Sequence, residues 1–114
     1  MMQETLVIEV PRCKDGTLIL SLKGPILLSN FFEFQNRIRS STQRALILDF
    51  TGVPYIDSAE IGALVGAYAT HQKDGRSLAL VAVNESVRNA MEVTRVGSFF
   101  RFFDSIPAAE AASA

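Results

Sequence analysis

The sequence predicts an α/β fold in which an antiparallel hairpin leads into a parallel strand–helix–strand unit. Three observations carry this. Leu6-Val7-Ile8-Glu9-Val10 and Thr17-Leu18-Ile19-Leu20-Ser21-Leu22 are strand-forming runs joined by a segment ending in Lys14-Asp15-Gly16, and Asp-Gly is a strong tight-turn signal. Ala45-Leu46-Ile47-Leu48-Asp49-Phe50 and Leu78-Ala79-Leu80-Val81-Ala82-Val83 are continuous apolar runs of the kind found in strands covered on both faces. A helical period lies between those two runs, and a strand–helix–strand order within one sheet requires a right-handed crossover and a parallel pair.

The remaining elements follow along the chain. After Gly24-Pro25, Ser29 is placed to cap a helix through Arg39 that buries Phe31, Phe34 and Ile38, and Ser40-Ser41-Thr42 ends it. The run to Phe50 is the central strand, and Thr51-Gly52-Val53-Pro54-Tyr55 supplies loop chemistry after it. Asp57 followed by Glu60 reads as a capping-box start for a helix from Ala59 to Asp74. In that helix Ile61, Leu64, Val65 and Tyr68 repeat at helical spacing. Gly62, Ala63, Gly66 and Ala67 leave low relief beside them, for the chain's own sheet or for another protein. Gly75 is expected as the left-handed terminus. Asn84 or Ser86 caps a third helix carrying Val87, Met91 and Val93 to about Val96, and Gly97 stops it before a terminal strand, Phe99-Phe100-Arg101-Phe102-Phe103. Those phenylalanines are read as core, with an exposed edge as the alternative. The alanine-rich tail from Ala108 is a short helix or a frayed end.

With 114 residues, 48% of them hydrophobic and 20% charged, the chain is expected to form one globular domain with no linker. A formal net charge of -1 argues against broad electrostatic binding to nucleic acid or to an anionic membrane. Cys13 is the single cysteine, so neither an internal disulfide nor a cysteine metal cluster is available, and a reducing cytoplasm is the expected compartment. Met1-Met2-Gln3-Glu4-Thr5 has neither the basic start nor the apolar core of a signal peptide, and no apolar run is long enough to span a bilayer.

The chemistry on offer is narrow. His71 is the only histidine and lies thirteen residues beyond Ser58 in the same helix, about 20 Å away at 1.5 Å of rise per residue, so the two cannot form a nucleophile–base pair. His71 reads as a solvated residue near the negative end of the helix dipole. No nucleophile elbow, phosphate-binding loop, dinucleotide fingerprint or metal-ligand spacing occurs, and no cofactor or metal is expected. Asp49 and Asp57 read as local hydrogen-bonding and capping groups, and Arg37, Arg39 and Arg44 as a solvated basic face. One residue stands apart: Ser58 sits where a buried strand hands over to an amphipathic helix, so its hydroxyl is presentable to a partner.

Leu48-Asp49-Phe50-Thr51-Gly52-Val53-Pro54-Tyr55-Ile56-Asp57-Ser58, followed by Ile61-Gly62-Ala63-Leu64 and the Gly75 turn, resembles the STAS domain of the small bacterial anti-sigma factor antagonists. The resemblance covers nearly the whole chain. It implies the STAS fold, a mixed sheet of four to five strands with helices packed mainly on one face. It also implies a non-enzymatic, cytoplasmic regulator of sigma-factor-dependent transcription, a monomer or weak dimer. The family's motif, Asp-Ser-Ser/Thr-Gly-Leu-Gly, places its phosphorylated serine at Ser58. Asp57, Ser58, Ala59, Glu60, Gly62 and Ala63 are then the partner-binding residues. An anti-sigma factor that is itself a serine kinase would be the partner, and a PP2C-type phosphatase would reset the switch. Ala59 and Glu60 depart from the motif's Ser/Thr and Gly, and Gly24-Pro25-Ile26-Leu27 lacks an acidic residue that many antagonists carry there. The same resemblance admits a scaffold or accessory subunit with another client, such as a lipid-transport ABC system.

Overall fold

Alternation along five strands sorts the apolar residues onto two faces of one sheet, and the helices are divided unequally between those faces. A computed structural model describes residues 6–14 and 16–113. Met1–Thr5, Asp15, Ala114 and the side chains of Arg12, Cys13, Lys14, Phe99 and Ser113 lie outside the described residues, and with them the expectations for the leader, the Asp15 half of the first turn and the Cys13 thiol. The elements run β1 (Val7–Lys14), β2 (Thr17–Lys23), α1 (Phe31–Ser40), β3 (Ala45–Gly52), α2 (Ser58–Lys73), β4 (Ser77–Val81), α3 (Glu85–Val93), a 3-10 turn (Gly97–Phe99), β5 (Arg101–Phe103) and α4 (Ile106–Ser113).

The strands lie in the order β1-β2-β3-β4-β5, with β1 antiparallel to β2 and the other pairs parallel. The expected hairpin, central strand and parallel crossover are all present. Strand β1 runs past Pro11, which has no amide hydrogen to donate; it occupies the sheet edge, and the register slips between Glu9 and Arg12. Gly16 turns the hairpin at φ +80°.

Leu20, Leu22, Leu46, Leu48, Phe50, Leu78 and Leu80 point to the main core, where Phe34, Ile38, Ile61, Leu64, Val87 and Met91 come down from α1, α2 and α3. Ile19, Ile47, Ala79 and Val81 point the other way and meet Ala109 and Ile106 of α4. The alanine-rich tail is therefore a packed helix, the one helix on its side of the sheet among the described residues.

Helix boundaries differ from expectation where capping chemistry decided them. Helix α1 starts after Asn30 rather than Ser29, because the Asn30 carboxamide locks the preceding loop, accepting from Leu27 N at 2.9 Å and donating to Pro25 O at 2.8 Å. Asn84 caps α3 by accepting from Val87 N at 2.8 Å, and α3 stops at Val93, short of Val96. Val93, expected in the core, is 82% exposed. Gly75 ends α2 at φ +73°, as the sequence predicts. Phe100 is buried, while Phe102 and Phe103 are half-buried on opposite faces of β5, so this terminal segment is core rather than an open aromatic edge.

Candidate functional site

The start of α2 is held in place by backbone. After β3 the chain makes an isolated bridge between Ile26 and Ile56, with Ile26 N donating to Tyr55 O at 3.1 Å and Asp57 N donating to Ile26 O at 3.1 Å. Asn84 clamps the same loop from α3, donating to Val53 O at 3.0 Å and to Pro54 O at 3.3 Å. Within β3, Asp49 accepts from Ser21 Oγ at 3.1 Å and from Thr51 N at 3.0 Å, the local bonding expected of it. The loop that leads into α2 is thus tied both to the segment after Gly24 and to the start of α3.

Ser58 is the first residue of α2 and is exposed, as are Asp57, Ala59 and Gly62; Ala63 is half-buried. Asp57 caps with its main chain, accepting from Glu60 N at 3.0 Å and Ile61 N at 3.1 Å, and its side chain makes no cap bond. The expected capping box is therefore absent. The reason is Glu60: its side chain turns inward and is only 2% exposed, leaving Oε2 without a hydrogen-bond partner among the described residues. Burial pushes the Glu60 carboxyl above its ordinary range, against the pull of its own backbone N–H, and the Asp57 carboxylate adds to the rise.

Two exposed apolar side chains that sequence reasoning passed over lie on the segments joined by the Ile26–Ile56 bridge. Leu28, in the segment that follows the Ile26–Ile56 bridge, is 70% exposed, and Tyr55, three residues before Ser58, is also exposed. Phe32, on the first turn of α1, is 72% exposed. The available signal for Phe32 was that it falls outside the apolar stripe of α1, whose buried face Phe31, Phe34 and Ile38 already fill; Leu28 and Tyr55 lie in loops, where no period sorts them.

At the other end of α2, His71 departs from expectation. Far from being solvated, it is 2% exposed. Its Nδ1 lies 2.9 Å from Ala67 O, and Nε2 has no partner among the described residues. Burial pulls its pKa below the ordinary histidine value; the bond to Ala67 O opposes this and the nearby Arg76 guanidinium adds to it. Ser58 and His71 stand at opposite ends of the same helix and are not brought together. Ile61 and Leu64 are buried, with Val65 and Tyr68 half-buried against the core, and Ala63, Gly66 and Ala67 face α1 across a cavity. No group of three or more potential metal ligands occurs among the described residues, and no described helix is long and apolar enough to cross a membrane.

Comparison with known families matches residues 10–109 to the STAS domain. Among solved structures, an anti-sigma factor antagonist from Mycobacterium paratuberculosis superposes with a TM-score of 0.85 at 19% identity, over 98% of this chain and 97% of that one. The phosphorylated form of the Bacillus cell fate determinant SpoIIAA matches with a TM-score of 0.72 at 13% identity, over 93% of this chain and 99% of that one. A murine anion transporter, Solute Carrier 26 family member A9, matches with a TM-score of 0.75 at 27% identity, covering 86% of this chain but only 18% of the transporter.

Proposed function

This chain belongs to the STAS domain family, and from that premise we propose that it is an anti-sigma factor antagonist whose docking surface is the exposed first turn of α2. The observation that carries the reading is Ser58, exposed at a helix start clamped by Ile26 and Asn84, with Leu28 and Tyr55 exposed on the adjoining loops. Apolar side chains beside a hydroxyl suit a surface that is desolvated against a partner and then vetoed by charge.

Unmodified, the chain binds an anti-sigma factor that is a serine kinase and thereby frees a sigma factor for transcription. The kinase supplies nucleotide and catalytic groups; this chain supplies the Ser58 hydroxyl. Phosphorylation adds about -1.5 to -2 charges at the centre of the contact and ends the complex, and a PP2C-type phosphatase restores it. Asp57, Ala59 and Gly62 form the accessible remainder of the surface, with Ala63 at its margin. Glu60 acts from inside, by shaping the helix start.

The test is binding to a serine-kinase anti-sigma factor from the same organism, measured by calorimetry. Wild type and Ser58→Ala are expected to bind equally, Ser58→Asp more weakly, and only wild type to take up phosphate from the kinase. Equal affinity of all three forms refutes a charge switch at Ser58. A second reading, a scaffold or accessory subunit that works without phosphorylation, draws on the buried Glu60 carboxyl beside the acceptor position. It predicts no phosphate uptake by any form and a stable complex with another client, such as a lipid-transport ABC system.

A further inference from the structure

The loop that delivers Ser58 is held in two halves by different groups. Its second half is bonded through backbone, with Ile26 N donating to Tyr55 O and Asp57 N donating to Ile26 O. Its first half has few groups of its own to spend: Pro54 has no amide hydrogen, and Val53 N already donates to Phe50 O at 2.9 Å. What remains are the carbonyls of Val53 and Pro54, and both accept from the Asn84 amide, at 3.0 and 3.3 Å.

Asn84 uses different atoms for its two tasks. Its Oδ1 accepts from Val87 N at 2.8 Å and caps α3, while its Nδ2 donates to the loop. An N–H only donates and a carbonyl only accepts, so one orientation of the carboxamide satisfies all three bonds. The backbone behind it is braced as well. Ala82 holds a left-handed conformation at φ +56°, uncommon for a residue with a Cβ, and its N–H donates to Phe103 O at 2.9 Å. Such a conformation persists where the surroundings fix it. The amide is therefore carried between a corner tied to β5 and the first turn of α3, rather than on a free loop.

We propose that Asn84 is a positioning residue for the Ser58 hydroxyl, its Nδ2 fixing the loop that presents Ser58 to the kinase, separately from the capping of α3 by its Oδ1. This rests on the reading of Ser58 as the phosphoacceptor and adds the group that sets the acceptor's geometry. A hydroxyl already held in place avoids an orientational cost that a loosened one meets at every turnover.

The two tasks can be separated, because aspartate and serine cap a helix about as well as asparagine but carry no amide. Asn84→Asp keeps the shape and the capping oxygen; Asn84→Ser keeps a capping oxygen, is one atom shorter and adds no charge. The intact chain is compared as wild type, as these two variants and as Asn84→Ala, which loses both tasks. Phosphorylation by the serine-kinase anti-sigma factor from the same organism is measured at saturating substrate, where a weaker complex no longer counts. The kcat is expected to fall about tenfold in all three variants, with faster amide exchange at Asp57 in each. The Asp and Ser variants, which keep the cap, are expected to melt above Asn84→Ala. A wild-type kcat in Asn84→Asp and Asn84→Ser would overturn the positioning role and leave the reading of Ser58 standing. No phosphate uptake by the wild type would overturn both.

Discussion

Glu60 and His71 occupy one stripe of α2, in register with Leu64 and Ala67 at spacings of four, three and four residues, which is why both are buried. Each was legible as a local signal, an acidic residue in a first turn and a basic one in a last turn, and each local signal pointed to solvent. The longer period pointed inward, and it won because helix packing acts on a whole face. The consequence is titration of opposite sign. The folded protein holds the Glu60 proton more tightly than the unfolded chain does, so its contribution is unfavourable above the raised folded pKa and vanishes below the ordinary value of 4.5. Glu60→Gln should therefore raise the melting temperature at pH 7 to 8, and the gain should disappear when the melt is repeated below that value. An equal gain at every pH would mean that the carboxyl is not desolvated. His71 runs the other way: the folded protein binds its proton less tightly, so stability falls as pH drops below the ordinary 6.5 toward the lowered folded value. Replacing it with glutamine, which cannot titrate, should remove that part of the acid loss in a pH series of urea melts.

At the scale of elements, the strands and the apolar faces of the helices were the most readable features, because period 2 and period 3.6 are set by backbone geometry alone. Caps were less so. Asn84 was named with Ser86 as a cap for α3, and only the structure shows that the same side chain also reaches Val53 O and Pro54 O across the β3–α2 loop. Long-range bonds of that kind leave no trace in spacing. Asn84→Ala is expected to lower stability by about 0.5–2 kcal/mol through the lost cap, and also to loosen the loop ahead of Ser58, seen as faster amide hydrogen exchange at Ile56 and Asp57. Lower stability with unchanged exchange in the loop would contradict the clamp. Leu64, 1% exposed and a wall of the α1–α2 cavity, gives the matching test of the helix face. Leu64→Ala should cost about 2–5 kcal/mol in denaturant unfolding, since it enlarges a space its neighbours already fail to fill.

Across the whole molecule, the sheet divides labour between its faces. One face carries α1, α2 and α3, and with them the Ser58 turn and the cavity; the other, among the described residues, is covered by α4, through Ala109 and Ile106 on Ile19, Ile47, Ala79 and Val81. The resemblance to STAS domains implied helices mainly on one face, and the composition of the tail left α4 open between a helix and a frayed end, because alanine favours a helix without saying what it packs on. A buried Ala109 settles its role as a cover. Ending the chain after Ser105 therefore uncovers four apolar side chains at the centre of the sheet while leaving in place the bonds of Ile26 and Asn84 to the loop before Ser58. The shortened protein is expected to unfold at lower denaturant and to bind an apolar dye. It should still bind the serine-kinase anti-sigma factor with wild-type affinity at temperatures where it remains folded. Loss of binding in a folded truncation would show that the docking surface reaches around to α4, and unchanged stability would show that α4 does not hold the second face.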